Sequence, residues 1–260
     1  MDCLTATTRP PAVPTRTVAS ADGTPIRYAA LGEGPPLLLL HGFTDRLESW
    51  VELGYAAGLP GRRLILMDAR GHGESGRPVD PAAYRPGCRA ADILAVLDAA
   101  GVTRADVAGY SMGGWNALTL LRHAPHRVGR LVIGGAHAFA QDMSPLRRLI
   151  GGGLEAWSAW AAGQSDIPAD AMLARLLRND PAALAACVAE DREDQADALA
   201  GARHPVLVYA GALDPLHPLA ARTATLPPDG RFVSLDGLNH VTAWLRADRA
   251  LPQLRSFLGG

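Results

Sequence analysis

Cysteine is scarce in this sequence, which has three in 260 residues, Cys3, Cys88 and Cys187. An odd number of widely spaced cysteines argues against a disulfide framework, and none of them has the spacing of zinc ligands. No metal site is predicted. The cysteines are expected to be reduced thiols in a cytoplasmic protein.

Net charge and long hydrophobic runs are also lacking. The 25 Lys and Arg residues nearly balance 26 Asp and Glu residues, for a formal charge of −1, so no field attracts nucleic acid or an anionic membrane. The longest strongly apolar run, Leu37–Leu40, is far shorter than the roughly 20 residues that cross a bilayer. No apolar run follows a basic start in residues 1–14, so no signal peptide is predicted.

What the sequence does contain is a series of short, continuously apolar runs, each ended by glycine or a turn residue. Continuous hydrophobicity predicts strands buried on both faces, as in a parallel sheet. Helix-period stretches alternate with these runs, and the turn pair Asp22-Gly23 predicts a hairpin before them. The predicted strands are Pro36–Leu40, Arg63–Met67, Ala105–Tyr110, Arg130–Gly134, Pro205–Ala210 and Arg231–Leu235.

This pattern predicts one α/β domain with a helical insertion. Residues 1–14 are expected to be a disordered tail, and residues 15–136 and 205–260 the core. Residues 137–204 contain no strand-like run and are predicted to form a cap over one edge of the sheet. Its predicted helices are Pro145–Ile150, Leu154–Ala162, Ala169–Arg178 and Pro181–Ala200.

Ser111 is the predicted nucleophile, at the centre of Gly109-Tyr110-Ser111-Met112-Gly113. An apolar strand precedes this G-x-S-x-G pattern and a helical stretch follows it. That context is required for a serine exposed on a strained strand-to-helix turn. The small neighbours provide steric clearance, and the start of the helix favours developing negative charge.

His240 and Asp214 are the predicted base and acid. His240 lies just after the last predicted strand, and Asp214 follows the strand before it. Both therefore emerge with Ser111 at the carboxyl edge of the sheet, where open α/β sheets bind ligands. The aspartate would hold the imidazole in the correct tautomer, which makes the histidine a base for the serine hydroxyl. Asp142 and Asp236 are alternative acids.

The backbone N–H groups of Phe43 and Met112 are the predicted oxyanion donors. His41-Gly42-Phe43 closes the first buried strand, and Met112 follows the nucleophile. Losing one such donor costs about 3 kcal/mol of transition-state stabilisation. The side chains of His41 and His72 are expected to be structural.

Five segments together resemble the α/β-hydrolase superfamily, in its small-capped esterase and lactonase group. The resemblance implies a mostly parallel eight-stranded sheet with helices on both faces, an inserted cap, no cofactor, and hydrolysis through a covalent acyl-serine. Asn239 is a departure, because a small residue often precedes the histidine. The segments are His41–Phe43, Asp68–Ser75, Gly109–Gly114, Gly211–Asp214 and Gly237–His240.

The expected substrate is a small-molecule ester or lactone. His137, Phe139, Trp157 and Trp160 are candidate substrate-binding residues, although the tryptophans could equally pack the cap onto the core. A C–C bond hydrolase, a cofactor-free haloperoxidase and a ligand-sensing protein of the same fold stay open as alternatives. Neither a nucleic-acid partner nor membrane insertion is expected, and the sequence leaves the oligomeric state open.

Overall fold

The structure is a computed structural model that describes residues 13–259 of the chain. The predicted disordered tail, apart from its last two residues, lies outside the described residues. Eight strands form one sheet in the order β1-β2-β4-β3-β5-β6-β7-β8. The strands are β1 (Thr15–Ala19), β2 (Pro25–Leu31), β3 (Pro36–Leu40), β4 (Arg63–Met67), β5 (Ala105–Tyr110), β6 (Val128–Gly134), β7 (Val206–Gly211) and β8 (Gly230–Leu235).

The sheet is parallel except at one end. Strand β2 pairs antiparallel with both β1 and β4, and the pairs from β4 through β8 are parallel. The predicted hairpin at Asp22-Gly23 is therefore confirmed, as is the mostly parallel sheet. This topology brings the carboxyl ends of β3 and β5–β8 to the same edge.

Helices cover both faces of this sheet. Eleven α-helices are found within residues 13–259, and α2, α3 and α9 lie on one face while α1, α10 and α11 lie on the other. None of these helices is long and apolar enough to span a bilayer. Those between the strands or after β8 are α1 (Ser49–Glu52), α2 (Pro86–Ala99), α3 (Met112–His123), α9 (His217–Thr223), α10 (His240–Leu245) and α11 (Ala247–Leu258).

Strand β3 is continuously hydrophobic, with four leucines in a row, because both of its faces are covered. Side chains alternate along a strand, so Leu37 and Leu39 pack against α11 and its neighbours, while Leu38 and Leu40 pack under α2 and α3. All four are almost fully buried. Each leucine would lose about 1.5–3 kcal/mol of burial free energy if it were exposed.

Between β6 and β7 the chain forms five helices, which we call the helical segment: α4 (Ser144–Gly151), α5 (Gly153–Ala162), α6 (Ala169–Leu176), α7 (Pro181–Cys187) and α8 (Ala196–Ala200). Much of it has its own apolar cluster, which includes Trp157 and Leu176. The ion pair of Arg175 with Asp45, at 2.5 Å, links it to the loop after β3. The division into core and cap stays a prediction.

The single helix predicted over Pro181–Ala200 was wrong. Helix α7 ends at Cys187, and residues 188–195 are not helical. Gln141 and Arg192 instead exchange both backbone hydrogen bonds, at 3.0 Å each, in an isolated antiparallel bridge. Pairing with residues just after β6 competes with helix formation here, and the helical periodicity of the sequence does not reveal such long-range bonds.

Candidate active site

Ser111 occupies the sharp turn between β5 and α3. Its backbone has φ of +52° and ψ of −112°, a conformation that is rare for a residue with a side chain. The turn is held because the Ser111 N–H donates to Gly134 O at 2.7 Å and Ser111 O accepts from Trp115 N at 3.1 Å. Strain of this kind is found where a nucleophile is exposed at the top of a sheet.

Two glycines are required for this turn by close backbone approach. A Cβ atom on Gly113 would collide with the carbonyl of Leu40, and one on Gly109 with the carbonyl of Gly113. Both obstacles are backbone atoms, which cannot rotate away. The glycines of the G-x-S-x-G pattern are thus required for the turn to pack against β3, as well as for exposing the serine.

Ser111, His240 and Asp214 form a continuous chain of hydrogen bonds. His240 Nε2 lies 3.0 Å from Ser111 Oγ, and His240 Nδ1 lies 2.7 Å from Asp214 Oδ2. A carboxylate only accepts, so Nδ1 carries the proton and Nε2 is free to accept the serine proton. This is the arrangement that activates a serine.

Neighbouring groups hold Asp214 and His240 in place. Asp214 is buried, and its other oxygen, Oδ1, accepts from Leu216 N at 2.9 Å. The hydroxyl of Tyr110 donates to His240 O at 2.5 Å. Burial raises the pKa of Tyr110 well above its ordinary value, so this hydroxyl keeps its proton. Asp214 and His240 are therefore held in position before substrate binds.

Asn239 has a role that the sequence analysis missed. Its Oδ1 accepts from Val241 N and Thr242 N at 3.0 and 2.9 Å, which caps α10 at the residue before His240. Its Nδ2 donates to Gln164 O, in the helical segment, at 2.8 Å. The signal was present, because asparagine is a preferred residue at the position just before a helix begins.

Phe43 and Met112, whose amides are the predicted oxyanion donors, both lie close to Ser111. Met112 follows Ser111 directly, and a Cβ on neighbouring Gly42 would lie 3.7 Å from Ser111 Cβ. Neither N–H donates to a protein acceptor within residues 13–259. Two free donors beside the nucleophile are what a developing oxyanion needs.

His41 and His72 hold the loops behind this site. His41 Nδ1 donates to Gly42 O at 2.8 Å, and its Nε2 accepts from Ala69 N at 3.0 Å. His72 Nδ1 donates to Arg70 O at 3.1 Å, and its ring packs against Phe43. Both imidazoles are buried.

The buried imidazole of His72 predicts acid sensitivity of the fold. Burial and the neighbouring His41 hold its pKa well below the ordinary 6.5. As pH falls below about 6.5, the unfolded state binds this proton and the folded state does not, so stability falls by about 1.4 kcal/mol per pH unit. His72→Gln is expected to reduce the drop in melting temperature between pH 7.5 and pH 5.5, measured by circular dichroism.

The matched control for this prediction is His126→Gln, at an exposed histidine. Burial also lowers the pKa of His137. Because this residue is present in every variant, its effect on acid sensitivity is the same in all of them. Equal acid sensitivity in His72→Gln and wild type would contradict the assignment.

A cavity of about 660 Å³, open in part to solvent, lies over Ser111 and His240. Trp157 and Trp160 from α5, two of the candidate substrate-binding residues, line it together with Phe43, Met172 and Trp244. Its charged lining residues, Asp45 and Arg175, pair with each other. The space offered to a bound molecule is therefore mainly apolar.

His137 and Phe139, two of the candidate substrate-binding residues, do not line this cavity. Hydrogen bonds hold the chain between them inward: Ala138 N donates to Thr223 Oγ1 at 3.0 Å, and Ala138 O accepts from Gln195 N at 2.6 Å. His137 is buried, and Phe139 packs under the guanidinium of Arg222. Both residues follow β6 at the edge of the sheet that carries Ser111, but their side chains face away from the cavity.

No cluster of three or more His, Cys, Asp and Glu side chains within residues 13–259 is placed to hold a metal ion. Cys88 and Cys187 are both free thiols. Cys187 lies near the sulfur of Met112, with the two sulfur atoms 3.8 Å apart.

Comparison with protein families matches residues 35–186 of the chain to a model described as the alpha/beta hydrolase fold. Among solved structures, a hydrolase from Pseudomonas aeruginosa PA01 has 28% sequence identity and a TM-score of 0.82, with 95% of this chain and 98% of that chain covered. An esterase from Rhodococcus sp. ECU1013 has 26% identity and a TM-score of 0.83 over the same shares.

Among curated proteins, the chain is 36% identical over 115 residues to the dihydrolipoyllysine-residue acetyltransferase component of the acetoin cleaving system of Pseudomonas putida. That stretch is 44% of this chain and 30% of the relative. The chain spans less than half the length of the first curated relatives that it matches.

Proposed function

The chain belongs to the α/β-hydrolase fold family, and on that premise we propose that it is a serine hydrolase that cleaves carboxylic esters or lactones. One observation carries the proposal: the hydroxyl of Ser111, the imidazole of His240 and the carboxylate of Asp214 are joined by hydrogen bonds of 3.0 and 2.7 Å. Hydrolase and esterase structures of the same fold support it.

In the acylation step, Ser111 Oγ attacks the carbonyl carbon of the ester while His240 Nε2 takes the hydroxyl proton. Asp214 stabilises the imidazolium that forms. The amides of Phe43 and Met112 donate to the oxyanion of the tetrahedral intermediate. As the C–O bond breaks, His240 gives the proton to the leaving alkoxide, which departs as the alcohol.

Deacylation repeats these steps with water. His240 Nε2 takes a proton from water, whose oxygen attacks the acyl carbon of the serine ester. The Ser111 oxygen leaves and regains the proton from His240, and the carboxylic acid is released. A lactone reacts in the same way, except that acid and alcohol leave as one molecule.

The cavity supports substrates with an apolar group next to the scissile ester. Three tryptophans, a phenylalanine and a methionine surround the space over Ser111, and its charged lining residues neutralise each other. Burying an apolar group there is favourable by about 25 cal/mol per Å². We therefore expect butyrate and hexanoate esters to be cleaved with higher kcat/KM than acetate esters.

Covalent labelling tests the nucleophile. A 4-nitrophenyl alkylphosphonate should release one 4-nitrophenolate per chain and leave the phosphonyl group on the peptide that contains Ser111, as detected by mass spectrometry. Ser111→Ala should not be labelled, whereas Ser256→Ala, at an exposed serine of α11, should be labelled like wild type. An adduct on any other residue would contradict the proposal.

Turnover separates an enzyme from a ligand sensor with the same three residues. Sustained release of 4-nitrophenolate from 4-nitrophenyl butyrate, far beyond one equivalent per chain, is expected of the hydrolase. Release that stops at one equivalent would contradict hydrolytic function and favour the sensor.

A further inference from the structure

A second cavity, of about 530 Å³, is lined by Phe43 and Met112, and Phe43 also lines the cavity over Ser111. The second cavity thus adjoins both residues whose amides form the proposed oxyanion hole. Its remaining wall comes from the start of α2, from α3 and from the non-helical residues after α7.

Two guanidinium groups line this second cavity, which we call the basic pocket. Arg89, in α2, is only 6% exposed, and Arg192 is partly buried. Both stack on the indole of Trp115, with 5.6 and 5.4 Å from each guanidinium carbon to the ring centroid. The two positive charges are therefore held close together on one aromatic side chain.

Neither guanidinium has an acidic partner. No ion pair joins a carboxylate to Arg89 or Arg192 within residues 13–259, and Arg192 Nη1 donates instead to the neutral Gln141 Oε1 at 2.9 Å. Arg89 donates instead to Tyr84 O and Cys187 O, at 2.6 and 3.0 Å, and to Cys187 Sγ at 3.2 Å. Buried charges without a counter-ion are costly, so proteins rarely keep them without a use.

Two buried donors in the same wall also lack a partner. Arg89 Nη1 and Trp115 Nε1 make no hydrogen bond to the described part of the chain. Burial, together with the nearby positive charge of Arg89, lowers the pKa of Arg192 to about 10. Unpaired donors and uncompensated positive charge both favour an anion.

Acidic residues at the rim do not neutralise these charges. Glu190 pairs with Arg85 at 3.7 Å, and Asp191 pairs with Arg147 at 2.8 Å. Glu193 is exposed and lies in the lining without an ion pair to either guanidinium. Rim acids of this kind are well solvated, and their field inside the pocket is screened.

We infer that the basic pocket binds a carboxylate carried by the substrate, through Arg89, Arg192 and Trp115. This inference rests on the proposed function, since it assigns the substrate class of the same site. The substrate would be an ester or lactone with an apolar portion in the cavity over Ser111 and a free carboxylate beyond Phe43. Planar guanidinium groups suit a planar carboxylate.

Matched pairs of esters test the inference. Monoethyl succinate, glutarate and adipate are compared with the neutral ethyl esters of the same acyl carbon number, butanoate, pentanoate and hexanoate. In at least one pair, the wild-type protein should cleave the anionic ester with a higher kcat/KM than the neutral ester. Arg192→Gln should raise KM for that anionic ester about tenfold, with its neutral partner unchanged within twofold.

Arg192→Gln suits this test because it removes charge repulsion from Arg89 and so should not harm the fold. Arg222→Gln is the matched control: this arginine is exposed, also stacks on an aromatic ring, Phe139, and lines neither cavity. The control should leave both members of every pair unchanged. Equal changes in KM for the anionic and neutral ester in Arg192→Gln would overturn the inference.

Binding without turnover separates this inference from the proposed function. Monoethyl adipate, glutarate and succinate are titrated calorimetrically into Ser111→Ala and into Ser111→Ala/Arg192→Gln. Weaker binding of the preferred ester, about tenfold, in the double variant supports the basic pocket even if no ester is hydrolysed. Binding that Arg192→Gln does not change overturns it, even if Ser111 proves to be the nucleophile.

Discussion

Replacing Ser111 with alanine is expected to lower kcat for 4-nitrophenyl butyrate by several orders of magnitude, about 10⁵-fold. His240→Ala should cost nearly as much, because the hydroxyl is a poor nucleophile without the base at 3.0 Å. The double variant should be hardly slower than either single variant, since each change disables the same step. Steady-state and single-turnover kinetics measure all three.

Folding must be intact for this comparison to hold. Each variant is checked by circular dichroism and thermal melting, and Ser256→Ala serves as the matched control for loss of an exposed hydroxyl. Effects of Ser111→Ala and His240→Ala that simply multiply in the double variant would argue against one shared mechanism. Full activity in Ser111→Ala would refute the nucleophile outright.

Asp214→Asn should lower kcat by about 10⁴-fold, somewhat less than loss of the serine. The reason is the tautomer of His240. If the amide nitrogen of asparagine faces Nδ1, Nδ1 must accept, so Nε2 carries the proton and can no longer accept one from Ser111. Substrate contacts are unchanged, so KM should move far less than kcat.

Asp236→Asn is the control for this effect. Asp236, one of the two alternative acids, lies on the loop between β8 and His240, and it is exposed rather than bonded to the imidazole. The control should keep wild-type kcat. If Asp236→Asn were the inactive variant and Asp214→Asn the active one, the acid would have been assigned to the wrong residue.

Most of the sheet could be predicted from the sequence because its strands are buried on both faces. The runs at Pro36–Leu40, Arg63–Met67 and Ala105–Tyr110 have the predicted bounds. Element ends were less predictable, since they depend on pairing and caps. Strand β6 begins at Val128, two residues before the predicted Arg130, because Val128 pairs with Ala105.

The positions of Ser111, Asp214 and His240 at one edge of the sheet could also be predicted, because each follows a strand of a parallel sheet. The direction in which each side chain points could not be predicted from the sequence. His137 follows β6 at the same edge, yet its backbone neighbours turn it inward. The basic pocket was equally hidden, since Arg89, Trp115 and Arg192 come from three distant parts of the chain and no local pattern links them.

Asn239 couples two parts of the molecule through one amide group. Its oxygen caps the first turn of α10, which begins at His240, and its nitrogen donates to Gln164 O in the helical segment. Aspartate at this position could accept the first of these hydrogen bonds but could not donate the second, and glycine could do neither. A substitution that releases the helical segment here is therefore expected to loosen the residue proposed as the base as well, so the two cannot be altered independently.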